Sequence, residues 1–330
     1  MTVVGIEFVD ADTASGSVTN GYQVFPSAGG AIDVWRMTAD TGVSRRFSPK
    51  AGEARFSSVQ FLNAGADGGM VGRGTLEEMS GNPIIYNGRQ TSGGASRVWR
   101  YDPVSATVAA RTAAVASCTI NDTTVRDYAD RLYVITNETG TYRVRSRTRS
   151  TESTTAALNT FLTFTGDENP ENIDVDQDNL LWVAGRRDVV GVGYLPYVEY
   201  DPTGGTTWTI PQPTGFSYEY VDTIQAVGVG EAIGVAENLS SAGDSDFLTF
   251  FRFEVGSADA VDITDGVTVD GQAYRDWAGA NFDNIEVQTG FKVAVVGERV
   301  AARTHDGRIL LGTLVRSGRR WWVGVAGWGG

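Results

Sequence analysis

Four groups of residues in this sequence have side chains that could do chemistry. The only histidine is His305, in the turn His305-Asp306-Gly307. A Ser–His–Asp hydrolase needs a histidine as general base, and a lone one in a polar turn reads instead as a solvated residue. Zinc or copper needs several nitrogen or sulfur ligands. One His and one Cys, Cys118, do not supply them, so neither metal is expected. Calcium takes oxygen ligands. Asp174, Asp176, Asp178 and Asn179 have the alternating acidic spacing of a calcium loop, without the Gly and distal Glu of an EF-hand. The same residues suit a plain turn that leads into a strand, and the choice stays open. The run Arg143-Val144-Arg145-Ser146-Arg147-Thr148-Arg149 alternates arginine with smaller residues. In a strand, Arg143, Arg145, Arg147 and Arg149 share one face. That face reads either as an exposed edge protected from aggregation by charge or as a docking face for an acidic surface, such as a neighbouring subunit. A glycosidase requires two carboxylates at a set separation in space. With 40 acidic residues the sequence does not single out a pair. No catalytic residue, metal or cofactor is assigned.

Charge and composition narrow the partners. The net charge is −13, from 40 acidic and 27 basic residues. Nucleic-acid affinity rests on phosphate neutralisation, so no nucleic-acid partner is expected. Lysine occurs only at Lys50 and Lys292; the other cations are arginine. A single cysteine permits no intrachain disulfide, so packing must hold the fold. The opening MTVVGIEFVDADT lacks the charged segment and long apolar run of a secretory signal. No stretch approaches about 18 uninterrupted apolar residues, so no membrane span is expected.

The elements that must position these residues are short strands. The chain of 330 residues has 41 Gly and only 9 Pro, and Gly supplies the backbone angles of tight turns. Apolar residues alternate or cluster in runs of four to six, bounded by Gly, Asp, Asn or Pro. The best helical candidate is the short stretch Thr155–Phe161. One strand-and-turn pattern recurs: Trp35-Arg36-Met37, Trp99-Arg100-Tyr101-Asp102-Pro103, Val198-Glu199-Tyr200-Asp201-Pro202 and Phe251-Arg252-Phe253-Glu254, with weaker copies at Tyr142-Arg143-Val144 and Leu314-Val315-Arg316. A second pattern, a polar turn and then an apolar strand, interleaves with it. It appears at Asp127–Val134 and Asp174–Val183, and more faintly at His305–Leu311. It suits the hairpin between the innermost strand of a blade and the next one out.

The Tyr-Asp-Pro turns, with Trp208 a few residues beyond the second, resemble the kelch-type β-propeller repeat. Asp201–Trp208 also resembles the Asp-box turn of sialidase-type propellers, with extra residues before the Trp; in those families the turn is structural. The resemblance implies a fold and no particular activity. The chain is therefore expected to be all-β: one β-propeller domain, residues 1–330, of six blades with four antiparallel strands each. The approximate blades are 1–50, 51–115, 116–166, 167–213, 214–265 and 266–330. Two β-sandwich domains are the structural alternative. Stacked blades cover one another's apolar faces, which no single blade can bury alone.

The expected function is non-catalytic: a structural or adhesion component of a larger assembly. The leading case is a bacteriophage virion protein of a tail, fibre or adaptor. It would bind other structural subunits in a symmetric assembly, or a host-surface glycan, with the virion as its location and the cytoplasm as the alternative. A carbohydrate-binding lectin-like propeller and a glycoside-hydrolase propeller are the competing classes.

Overall fold

In a computed structural model the chain is all-β. The structure describes residues 94–102, 107–126, 129, 131–148, 156–210, 217–239 and 247–264 continuously, and elsewhere the strands named below. Among the described residues, six four-stranded antiparallel sheets follow one another along the chain. The first holds β1 (Gly21–Ser27), β2 (Ala31–Met37), β3 (Val43–Phe47) and β4 (Phe56–Gln60). The second holds β5 (Thr75–Met79), β6 (Asn82–Gln90), β7 (Ser96–Asp102) and β8 (Thr107–Ala110). The third holds β9 (Cys118–Thr124), β10 (Arg131–Glu138), β11 (Thr141–Thr148) and β12 (Asn159–Thr163). The fourth holds β13 (Glu168–Val175), β14 (Leu181–Val189), β15 (Gly193–Tyr200) and β16 (Thr206–Thr209). The fifth holds β17 (Ser217–Gly228), β18 (Glu231–Leu239), β19 (Phe247–Glu254) and β20 (Val261–Asp262). A two-stranded ribbon, β21 (Thr268–Val269) and β22 (Gln272–Ala273), precedes the sixth. That last sheet holds β23 (Val293–Val296), β24 (Arg299–Arg303), β25 (Ile309–Ser317) and β26 (Arg320–Val325).

Within each sheet the strands lie in sequence order. The first strands gather at the centre: β9 lies beside β13, β13 beside β17, β17 beside β23, and β23 beside β1, which also meets β5. Contact between β6 and β9 joins the second sheet to the third. The sheets thus form a closed ring of blades, a β-propeller, and the two-sandwich alternative does not hold. The first sheet runs on through β4, past the expected division at residue 50, because β4 pairs along its full length with β3.

Apolar side chains fill the spaces between successive blades. Tyr86, Val98, Cys118, Ile120, Leu132 and Val134 join blades two and three. Tyr133, Ile135, Val144, Ile173, Val175 and Val183 join three and four. Trp182, Val198, Trp208, Ile224, Phe251 and Phe253 join four and five. Cys118 is 2% exposed, and burial pushes its thiol up to about 12, with Glu138 adding to the rise and Arg145 opposing it. The thiolate is the reactive form. Native protein at pH 8 should therefore resist a maleimide that labels the urea-unfolded chain fully, and labelling at equal rates in both states would contradict this placement.

The first recurring pattern falls on the third strand of five blades: β7, β11, β15, β19 and β25. Trp35-Arg36-Met37 instead lies on β2, a second strand. The second pattern does form the inner hairpins of blades three and four, between β9 and β10 and between β13 and β14. Its faint copy does not, since Ile309-Leu310-Leu311 starts a third strand, β25. Asn159–Phe161, expected as part of a helix, belongs to β12, where Asn159 and Thr160 pair with Ser146 and Arg145. A Thr-rich segment gains more from that ladder than from an isolated helical turn. No helix among the described residues is long and apolar enough to cross a membrane.

Candidate functional site

Polar residues recur at the centre of the ring, on the inner strands. Asp122 and Asn172 stand fifty residues apart, and Asn172 Nδ2 donates to Asp122 Oδ2 at 2.8 Å. The next backbone N–H, Ile173, donates to the same oxygen. Asn172 repeats the move by accepting the Ile224 N–H at 2.7 Å from blade five. Two residues along, Asp174 accepts from Thr124 Oγ1 and Arg126 Nε of blade three and from the Ala226 N–H of blade five. Asp176 Oδ2 accepts from Tyr200 O–H and the Gly230 N–H, and its Oδ1 from the Asp178 and Leu180 N–H groups. Buried polar groups must be paired, and here each pairing except Tyr200 with Asp176, which lies within blade four, ties one blade to the next or closes a turn.

This accounts for the acidic run proposed for calcium. Asp174 and Asp176 are buried with N–H and O–H donors on their oxygens, while Asp178 and Asn179 are exposed in the turn. Asn179 takes the left-handed φ of 61° that such a turn needs. Among the described residues no group of three or more His, Cys, Asp or Glu could hold a metal ion. The residues resembling an Asp box likewise form a structural turn. Asp201 O accepts from the Gly204 and Gly205 N–H groups, and Trp208 is buried between blades.

The arginine run is not an edge. β11 pairs with β10 on one side and β12 on the other. Arg143 and Arg145 both pair with Glu138, at 2.6 Å each. Arg145 Nη1 also donates to Leu158 O, and buried Arg147 donates to Arg111 O beyond β8 of blade two. The three arginines thus line the joint between blades two and three. Arg149 and His305 lie outside the described residues.

The end of blade four opposite the Asp178 turn has a different character. The β14–β15 hairpin reads Asp188-Val189-Val190-Gly191-Val192-Gly193-Tyr194. Val189 O accepts from the Val192 N–H at 2.9 Å, with Gly191 at φ 81°. Gly suits that position; valine at a turn tip does not follow from turn chemistry, which favours Gly, Asn, Asp, Pro and Ser. Yet Val190 is 100% exposed, Val192 66% and Tyr194 46%. The Arg186 guanidinium lies 4.0 Å from the centre of the Tyr194 ring. The hairpin is anchored at its base, where the Asp188 N–H donates to Asp167 O of the blade three–four connection.

Below the hairpin, on the face toward blade three, lies a polar cluster. Glu168 pairs with Arg187 and accepts from the Thr165 N–H and O–H. Arg187 stacks on the ring of Tyr197 at 5.0 Å. The Tyr197 hydroxyl is buried with no hydrogen-bond partner, and burial raises its pKa well above the usual phenol value. Two residues on, Glu199 accepts from Thr207 Oγ1 at 3.2 Å. Burial pushes its carboxyl above the usual carboxylate range, Glu168 adds to this, and Thr207 and Arg187 oppose it. A carboxyl raised in the folded state contributes stability below its unfolded pKa and loses it as pH rises through the folded one. Glu199→Gln should therefore melt above the parent at pH 7.5 and level with it near pH 4. Equal melting temperatures at both pH values would contradict the shift.

The sequence reading missed both the hairpin and the inner-strand pairings. The signal for the second was present: Asp122-Thr123-Thr124 and Asn172-Ile173-Asp174 repeat a polar–x–polar pattern fifty residues apart.

No protein-family model matches the chain, and no characterised protein matches it in sequence. Solved structures share its fold. The fucose-specific lectin from Aleuria aurantia superposes with a TM-score of 0.53 at 10% identity, covering 93% of this chain and 95% of that one. An arginine-substituted mutant of AofleA from Arthrobotrys oligospora gives 0.52 at 12%, covering 94% and 87%. The WD40 repeats of RRP9 give 0.51 at 12%, covering 94% and 81%.

Proposed function

We propose that this chain is a non-catalytic structural or adhesion component of a larger assembly, and that its setting is a bacteriophage virion, in a tail, fibre or adaptor. The observation that carries the reading is the apolar hairpin tip. Val190, Val192 and Tyr194 stand exposed on a turn tied at its base to the blade three–four connection, and an exposed apolar patch of this kind marks an interaction surface. The carboxylates of the inner strands hold blades together, which leaves them to structure more than to turnover. The virion setting rests on composition: Thr-, Ser- and Gly-rich strands, almost no lysine and no disulfide. The test is purification from the native source. Recovery within a symmetric particle, lost when Val190 and Val192 become Asn, is the expected result. A free monomer that turns over a glycoside would overturn it.

A carbohydrate-binding reading has one observation of its own, the half-buried Glu199 paired with exposed Thr207 beside Arg187. Those groups offer both donors and acceptors to sugar hydroxyls. A glycan array separates this reading from the first: binding abolished by Glu199→Gln and Thr207→Val favours it, and a blank array removes it.

A further inference from the structure

We infer that the Asp201–Pro202 peptide bond is a self-cleavage site, activated by the turn around it for attack by the Asp201 side chain.

The chain holds two Asp–Pro bonds, and both sit in the same tripeptide, Tyr101-Asp102-Pro103 and Tyr200-Asp201-Pro202. In such a bond the aspartic carboxyl can close on its own carbonyl carbon. A side-chain oxygen bonds to that carbon, which gives a five-membered cyclic anhydride. The carbon–nitrogen bond breaks, and the carboxyl proton passes to the proline nitrogen, which leaves as a new N-terminal amine. Water then opens the anhydride to the two carboxyls of a C-terminal aspartate. Nucleophile and carbonyl belong to one residue, so no encounter between separate groups has to be organised.

The fold treats the two bonds differently. Asp102 lies in β7 and pairs with Thr107 of β8. Asp201 instead opens the turn between β15 and β16 with a left-handed φ of 47°, a backbone that a non-glycine residue rarely adopts. Its carbonyl oxygen accepts two N–H groups, from Gly204 at 3.0 Å and from Gly205 at 2.6 Å. Negative charge gathers on that oxygen as the carboxyl adds, and two donors already in place there form an oxyanion hole. Gly205 reaches this position only because it has no side chain: a Cβ on it would fall 1.9 Å from Tyr200 O. The Asp201 N–H donates to Leu181 O at 2.8 Å, which fixes the residue to blade four. Thr203 Oγ1 donates to Asp201 Oδ1 at 2.6 Å, so the carboxyl is drawn toward the residues beyond the bond it would cut. Asp201 and Pro202 are partly exposed, and Thr203, Gly204 and Gly205 are exposed. Water can therefore reach the anhydride.

The experiment holds the full chain at the lowest pH at which circular dichroism keeps the folded spectrum, because the attack needs the acid form of the carboxyl. Mass spectrometry follows the products. Fragments 1–201 and 202–330, together one water heavier than the parent, should appear about tenfold or more faster than fragments cut at 102–103, since even one oxyanion donor changes a rate by roughly a hundredfold or more. In urea at the same pH both tripeptides lose their surroundings. The two rates should then converge, and the 201–202 cut should itself slow. Asp201→Asn keeps the turn, because asparagine tolerates a left-handed φ, but it lacks the acid. It should abolish the 201–202 cut and leave cutting at 102–103 unchanged. Equal rates at the two bonds in the folded chain, or a 201–202 cut as fast in urea, would overturn the inference. So would a 201–202 cut that persists in Asp201→Asn.

Discussion

Replacing Asp174 with alanine should destabilise the protein by about 3–5 kcal/mol, the cost of breaking an ion pair that is largely shielded from water. The Arg126 side chain is only 15% exposed and that of Asp174 only 3%. The guanidinium makes a bidentate pair with this carboxylate. Removing the carboxylate also strands Thr124 Oγ1 and the Ala226 N–H, each 2.9 Å from it. Blades three, four and five therefore lose a common anchor in one substitution. Asp174→Asn should fall between the two, because the amide oxygen still accepts but carries no charge to answer Arg126. Urea unfolding measures the difference. A loss below about 1 kcal/mol would show that this pair contributes no more than a surface ion pair. Hydrogen exchange adds a spatial check. Protection should fall first on β9, β13 and β17, the strands this residue joins.

Trp208→Ala should cost about 3–5 kcal/mol, as expected for emptying a large aromatic from a packed core. Trp208 is 2% exposed. It stacks on Trp182 at 5.5 Å and meets Phe253 edge-on at 5.9 Å, so it bridges blades four and five. Its indole N–H donates to Ser257 O at 3.1 Å, fastening the β19–β20 turn to blade four. Trp208→Phe keeps an aromatic ring in place and forfeits that hydrogen bond, itself worth about 1 kcal/mol; it should be distinctly milder than the alanine variant. Calorimetry on the pair tests the ordering. A phenylalanine variant as damaged as the alanine one would make the hydrogen bond, and not the stack, the main source of stability. Combined with Asp174→Ala, the effects should fail to add, since both act on the joint between blades four and five.

The two halves of the problem were legible to different degrees. Strand identity is local. Alternating apolar residues and Gly-rich turns announce it, and Val198-Glu199-Tyr200 and Phe251-Arg252-Phe253 fall on third strands of their blades, as do the other copies after the first. Trp35-Arg36-Met37 carries the same residue pattern on a second strand, because the pattern reports an apolar, half-buried strand and not its rank within the sheet. The arginine run was recognisable as a strand with three described arginines on one face. Its edge position was not real, since β12 closes over it, and β12 overlaps Thr155–Phe161, the best helical candidate of the sequence.

The site divides in the same way. Turn chemistry around Asp176–Asn179 and Asp201–Gly205 follows from neighbouring residues, so the sequence by itself established those turns. It also established an all-β repeat with no disulfide and a strongly acidic balance. Only the tertiary structure decided which polar side chains are spent inside. Asp174 looks like a calcium ligand from its neighbours, yet becomes a blade-to-blade anchor because Arg126 and Ala226, 48 and 52 residues away, arrive beside it. Only the fold, likewise, shows that Val190 and Val192 stand exposed at the tip of their hairpin. Local sequence specifies the backbone period of each strand, whereas burial and partnership arise between segments about one blade apart in the chain, where no local rule reaches.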